Sequence, residues 1–268
     1  MIDLCIIGKS EHLFPVPDSW ADLTPEQFRA ACGCRMRGLL KLDYPDAMVR
    51  QVLGIPKRMW RKIPQTQRRW IAIDRLAFIL DTQPVFRDNK MPVIRAGWRR
   101  LYGFENMLAD VTWEEFMYAD TLMMRKKHRE SISVLYRPRM GLSHNPVVRI
   151  PFSMFGLDRN TERLAKVDEE TLFALVTNYQ AVRSAALERK YGYLFPSADE
   201  STMDGKKIEL DEEDDRKNTP SWPDIHHTLM GDKAYLEPQF LHSKATTMLN
   251  WLNRRIKENR ETERKLKK

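Results

Sequence analysis

Ala21-Asp22-Leu23-Thr24-Pro25-Glu26-Gln27-Phe28 and Ala109-Asp110-Val111-Thr112-Trp113-Glu114-Glu115-Phe116 are two versions of one helix-start device. In each, a threonine stands at the N-cap, and Gln27 or Glu115 three positions on can reach back to complete a capping box. Leu23 is spaced to staple against Phe28, and Val111 against Phe116. Pro25 takes the first helical position, where its missing N–H costs nothing, and acidic groups crowd the positive end of the helix dipole. The clearest words in the chain therefore specify helices. The residues that follow the two octets do not stay parallel, so they read as independent caps rather than as a repeat.

Working outward, the first helix runs from Pro25 towards Leu42 and a second covers Pro45 to Leu53, before Gly54-Ile55-Pro56. Residues 57–63 predict a further helical turn. After Thr66, Trp70, Ile73, Leu76, Ala77 and Leu80 recur at three and four residues and predict one apolar stripe. Residues 84–106 hold two prolines and two glycines without a sustained period and read as an irregular connection. The helix opened by Thr112 is expected to continue through the basic run 125–129 to Tyr136, where Arg137-Pro138 stops it. Residues 139–156 read as loop, with a short strand at 147–152. Asp168 caps a helix carrying Leu172, Leu175, Val176, Tyr179, Val182 and Ala186. The start, residues 2–7, suggests a short strand, and 12–19 is extended. After Pro238 a last helix carries Phe240, Leu241, Met248, Trp251 and Leu252.

The fold expectation is a mainly α-helical, irregular multi-helix domain with a short N-terminal strand. Its body spans 1–196, an acidic linker 197–220, and a C-terminal helical arm with a basic tail 221–268. The charge distribution sets these bounds. Residues 1–196 carry 31 Lys/Arg against 22 Asp/Glu, 197–220 carry 4 against 9, and 221–268 carry 10 against 6. A hydrophobic content of 42% excludes global disorder. No stretch approaches the roughly 20 apolar residues that span a bilayer, and the first residues lack a signal peptide's basic region and cleavage site. Cys5, Cys32 and Cys34 lack the partners of a zinc site and read as buried thiols. A soluble, intracellular protein is expected.

No phosphate-binding glycine loop, His-Glu-x-x-His or nucleophile elbow is present. His226-His227 read as surface or interface groups, and Ser143-His144 and Ser153 lack a catalytic context. No enzyme, cofactor or metal is therefore expected. Two candidate binding surfaces remain, each with a core reading beside it, and the second belongs to an alternative function. Met117, Met123, Met124, Met248 and Trp251 offer soft, polarizable contact of the kind that receives a partner's apolar helix. Lys57, Arg58, Trp60, Arg61, Lys62, Arg68 and Arg69 interleave cations with an indole, a pattern suited to nucleic acid. For Trp70 the stripe points to the core.

The order of segments resembles proteins of tailed phages and prophages of Bacteroidetes-type bacteria, encoded near tail-morphogenesis genes. The resemblance rests on Ser19-Trp20 with the first octet, Leu108 with the second, and the Ala119-Asp120 that follows. It continues through Val134-Leu135-Tyr136-Arg137-Pro138 and Tyr191-x-Tyr193-Leu194-Phe195-Pro196, then from Trp222 to Trp251-Leu252. It covers roughly 14–196 and 221–256. Such proteins look like tail assembly chaperones, and the resemblance implies a non-enzymatic protein that keeps the helical tape-measure protein soluble before the tail tube forms. The same residues also fit a virion-associated connector or tail accessory subunit, and the basic stretch keeps a nucleic-acid-binding alternative open.

Overall fold

Both capping boxes form. In the computed structural model, which describes residues 2–7, 11–37, 45–81, 83–140, 149–187, 191, 221–231 and 234–266, the Gln27 amide donates to Thr24 Oγ1 at 3.2 Å and the Thr24 amide to Gln27 Oε1 at 3.1 Å. They open α1 (Pro25–Met36). Thr112 and Glu115 repeat the exchange at the start of α6 (Trp113–Met124). Leu23, Phe28, Val111 and Phe116 are all buried, as the staples require. A third box, Ser221 with Asp224, opens α10 (Trp222–Met230) and was not anticipated.

The chain is mainly helical, and its described residues include two antiparallel strand pairs. The shorter helices are α2 (Pro45–Val52), α3 (Lys57–Trp60), α4 (Gln65–Trp70), α5 (Phe78–Asp81) and α7 (His128–Leu135); the described residues also form α8 (Met154–Leu164), α9 (Glu169–Leu187), α11 (Glu237–His242) and α12 (Ala245–Leu266). The middle of the molecule is α9, with 13 of its 19 residues buried. A helix apolar nearly all round has to be an interior one. Its start is fixed by Asp168, whose carboxylate accepts from the Thr171 amide at 2.8 Å. Helix α1 packs on α9, α2 packs on α1, and α7 packs against α6, α8 and α9. The buried side chains form one contiguous core.

The strand expected at 2–7 is β1 (Ile2–Ile7), paired with β2 (Glu11–Val16). The second hairpin corrects the reading of 84–106 as irregular. Strands β3 (Val93–Ala96) and β4 (Arg99–Tyr102) pair in register, Ala96 opposite Arg99. Four residues are too few to show an alternation, but Gly97 at φ +63 marks the two-residue turn Gly97-Trp98. At the other end of this hairpin Gly103 allows a close approach, since a Cβ there would lie 2.6 Å from the Tyr136 ring.

Three further expectations are corrected. The helix from Thr112 does not run to Tyr136, because it ends at Met124 with Lys126 left-handed at φ +59. The Lys126 amide returns to Met123 O and the Lys127 amide to Leu122 O, a Schellman closure made without glycine. The apolar stripe 70–80 is interrupted by a π-helical turn at Ile71–Arg75. The wider turn displaces the α-helical register, so Ile71, Ala72, Leu76 and Ile79 face the core while Trp70 and Ile73 are 46% and 56% exposed. Residues 154–164, left without an element, form α8; of the strand expected at 147–152 the described part contains only an isolated bridge, Arg139 to Arg149.

The acidic segment 197–220 and Ser143-His144 lie outside the described residues. From Ser221 on, the chain is docked on the body. Trp222, Met248, Leu249 and Leu252 belong to the common core. The Trp113 amide donates to Ser243 O at 2.7 Å, and the Ala245 amide to Val111 O at 2.8 Å. Among the described residues, no helix is long and apolar enough to cross a membrane. Cys32 and Cys34 are buried free thiols, and burial pushes Cys32 up to about 12.

Candidate functional site

Helix α6 organises the region with the most chemistry. Its inner face carries two buried carboxylates. Glu115, besides closing its capping box, meets two arginines that are themselves buried: Arg137, by a short contact, and Arg149 at 3.4 Å. Arg149 also pairs with Asp110 at 2.8 Å and donates to Leu135 O at 2.5 Å. Arg137 donates to the carbonyls of Val134 and Ile150. Desolvation pulls Arg137 below its ordinary value and the Glu115 charge opposes that pull. One turn on, Asp120 takes both arms of the Arg183 guanidinium and accepts from Trp222 Nε1 at 2.5 Å. The Trp222 ring lies edge-on to Trp113 and Phe116, at centroid distances of 5.5 and 5.1 Å. These are structural networks with their hydrogen bonds satisfied.

The outer face of α6 borders a groove of about 680 Å³, closed on its other sides by α8, α10 and α11. Met117, Tyr118, Leu122, Met154, Leu157 and Leu241 supply its apolar wall. Glu114, Arg125, Asp224, His227 and Glu237 supply polar groups along it. Tyr118 leans on Phe152 at 5.4 Å, and Phe155, next to Met154, is 101% exposed. Two buried polar atoms of the lining lack a hydrogen-bond partner among the described residues: Thr121 Oγ1 and His226 Nε2. Burial pushes the Glu114 carboxyl up, with His242 pulling it back.

His226 corrects the expectation of a surface histidine pair, since it is buried while His227 is exposed. Its Nδ1 accepts from Trp113 Nε1 at 3.2 Å, and its Nε2 lies 3.7 Å from Glu237 Oε1. Burial lowers its pKa from 6.5, against the opposing pull of Glu237. The unfolded chain therefore takes up this proton first as pH falls. The stabilising contribution is complete above 6.5 and is lost as pH drops through the depressed folded value. Urea titrations at about pH 7.5 and about 5.5 should show a smaller acid loss for His226→Asn than for the wild type. Equal losses would remove His226 from the account.

The anticipated partner-binding residues divide. Met117, Met123 and Met248 are buried, so they do not present a free methionine surface, although Met117 still contributes to the groove wall. Their helical spacing was core spacing. Met124 and Trp251 are exposed. The anticipated nucleic-acid stretch also divides. Lys57, Arg58, Arg61, Lys62 and Arg69 are exposed, but Trp60 is buried under Arg68, whose guanidinium sits 4.8 Å from the ring centre. Arg68 donates to Ile63 O at 2.8 Å. The indole that faces solvent is Trp70, with Arg75 over it at 5.3 Å and Arg75 also paired to Asp18. The reading of Trp60 as a stacking platform and of Trp70 as core is thus reversed.

Sequence reasoning missed the groove because its walls come from four helices far apart in the chain. The available signal was Met154 and Leu157, two apolar lining residues three apart on one helical face. Among the described residues, no group of three or more His, Cys, Asp or Glu side chains gathers to hold a metal. Searches of family models, curated proteins and solved structures found no match to this chain.

Proposed function

We propose that this is a non-enzymatic binding protein whose groove along α6 receives an amphipathic helix of a partner protein, in the role of a tail assembly chaperone for a phage or prophage tape-measure protein. One observation carries the reading: a half-open apolar groove of methionine, leucine and tyrosine side chains, with the lining residue Met154 47% exposed and its chain neighbour Phe155 fully exposed. Exposed apolar surface concentrated at a concave site marks an interaction surface, and helices bind such grooves by a stripe of apolar anchors. The tape-measure assignment is supported by the resemblance in segment order, and it places the protein in the host cytoplasm during assembly. A connector or accessory subunit of the virion would use the same surface permanently.

The test is titration calorimetry with purified helical segments of a phage tape-measure protein. Binding should change little between low and moderate salt, because apolar contact rather than phosphate neutralisation drives it. The Met154→Asp/Phe155→Asp double variant should bind at least about tenfold more weakly with its melting temperature retained, since both side chains are exposed. An unaltered affinity in that variant, or no binding by the wild type, overturns the proposal.

A further inference from the structure

A second site lies at the tip of the β3–β4 hairpin. Here Trp98 occupies the turn and is 81% exposed, far more than a large ring needs to be at a position that any polar residue would fill. The Arg99 guanidinium lies 4.5 Å from the ring centre. Arg159, Arg163 and Lys166 face the same spot from α8 and the residues just after it. Their spacing of four and three residues puts them on one helical face. Together with Ala96 and Glu162 these residues enclose a cleft of about 310 Å³.

We propose that this cleft binds single-stranded nucleic acid, with an unpaired base stacked on Trp98 and consecutive phosphates held by Arg99, Arg159, Arg163 and Lys166. Four cations meet one carboxylate, Glu162. Among the described residues, none of the four is in a salt bridge. The charge is therefore unspent inside the molecule, unlike that of Arg137, Arg149 and Arg183. Burial pulls Arg163 below its ordinary value, and the Arg99 and Arg159 charges add to the pull; an incoming anion relieves that repulsion. On the outer face of the hairpin Arg95 stands directly opposite Arg100, a like-charge pair that disfavours the hairpin itself and extends the positive field.

The site is held in place. The Lys166 stem covers the turn, so that a Cβ on Gly97 would lie 3.3 Å from Lys166 Cδ. Arg163 donates to Asn160 Oδ1 at 2.8 Å, and Asn160 is buried against Ser133 O. The exposed ring selects among anions. Acidic side chains offer charge without a planar face, and a duplex hides its base faces, whereas a single strand presents base and phosphate in alternation. Arginine forks match phosphate oxygens two at a time. This surface is separate from the α6 groove, so it stands or falls independently of the helix-binding role.

The experiment is fluorescence anisotropy with the full chain and a labelled twelve-residue oligothymidylate, run beside a blunt duplex of the same length and a polyglutamate competitor. The wild type should bind the single strand at low salt. Its affinity should fall about 20–50-fold between 50 and 200 mM salt, the slope for three to four phosphates on a single strand. Trp98→Ala should weaken single-strand binding by about tenfold or more and leave the residual duplex binding unchanged. The Arg159→Glu/Arg163→Glu double variant should lose binding while keeping its melting temperature and its affinity for the helical partner. No single-strand binding by the wild type overturns the proposal. So does duplex binding as tight as single-strand binding with Trp98→Ala without effect, which would mean phosphate contact alone. Effective competition by polyglutamate would assign the cleft to an acidic protein surface instead. Retained binding in the arginine double variant would move the site elsewhere, to the exposed cations of 57–69.

Discussion

Replacing Glu115 by glutamine is expected to destabilise the fold by about 3–5 kcal/mol, the range found when one partner is removed from a buried ionic cluster. The side chains of Glu115, Arg137 and Arg149 are 4%, 5% and 3% exposed. The neutral amide keeps the size and can still serve the cap, so the loss isolates the charge. Arg137 would then sit buried with only carbonyl acceptors, while Arg149 would keep Asp110. Thr112→Ala is the control, since it removes the capping contact alone and should lose about 1 kcal/mol. Equilibrium urea unfolding measures both. A Glu115→Gln loss no larger than that of Thr112→Ala would show that the cluster contributes nothing beyond the cap.

Asp120→Ala is the second large effect, expected at about 2–4 kcal/mol because it removes the buried carboxylate that Trp222 Nε1 and both arms of the Arg183 guanidinium share. Arg183 keeps some access to water, with 27% of its side chain exposed, which moderates the penalty relative to Glu115. The loss should be local as well as global. Hydrogen exchange across 221–230 should accelerate more than exchange in α9, because Asp120 is one of two polar ties between α6 and the Trp222 helix, and the Trp113–His226 hydrogen bond alone would then hold that helix by polar contact. Exchange that rises evenly over the whole chain would refute the link.

What the sequence disclosed followed from range. Thr24 with Gln27, Thr112 with Glu115, and Asp168 with Thr171 are three-residue relationships, and each forms as spelled. The spacing of Leu172, Leu175, Val176, Tyr179, Val182 and Ala186 likewise marked the interior helix correctly. Periodicity failed where the backbone left the α register. The π turn at 71–75 exposed Trp70, and left-handed Lys126 split one expected helix in two. The two proposed binding surfaces were not legible, because they depend on distant pairings. Trp98 and Arg163 are 65 residues apart, and Met117 and Leu241, which line one groove, are 124 apart. A solvent-exposed tryptophan and a buried one have the same letter; only packing separates Trp98 from Trp113.

The attachment of Trp222 and Leu252 to α6 has a consequence for synthesis. When Leu187 leaves the ribosome, the rings of Trp113 and Phe116 still lack the indole that covers them. Translation at roughly 5–20 residues per second needs about 3–13 s more to deliver Leu252. Through that interval the nascent chain carries an uncapped aromatic patch, and its solubility rests on whatever attends the growing polypeptide rather than on its own completed interior.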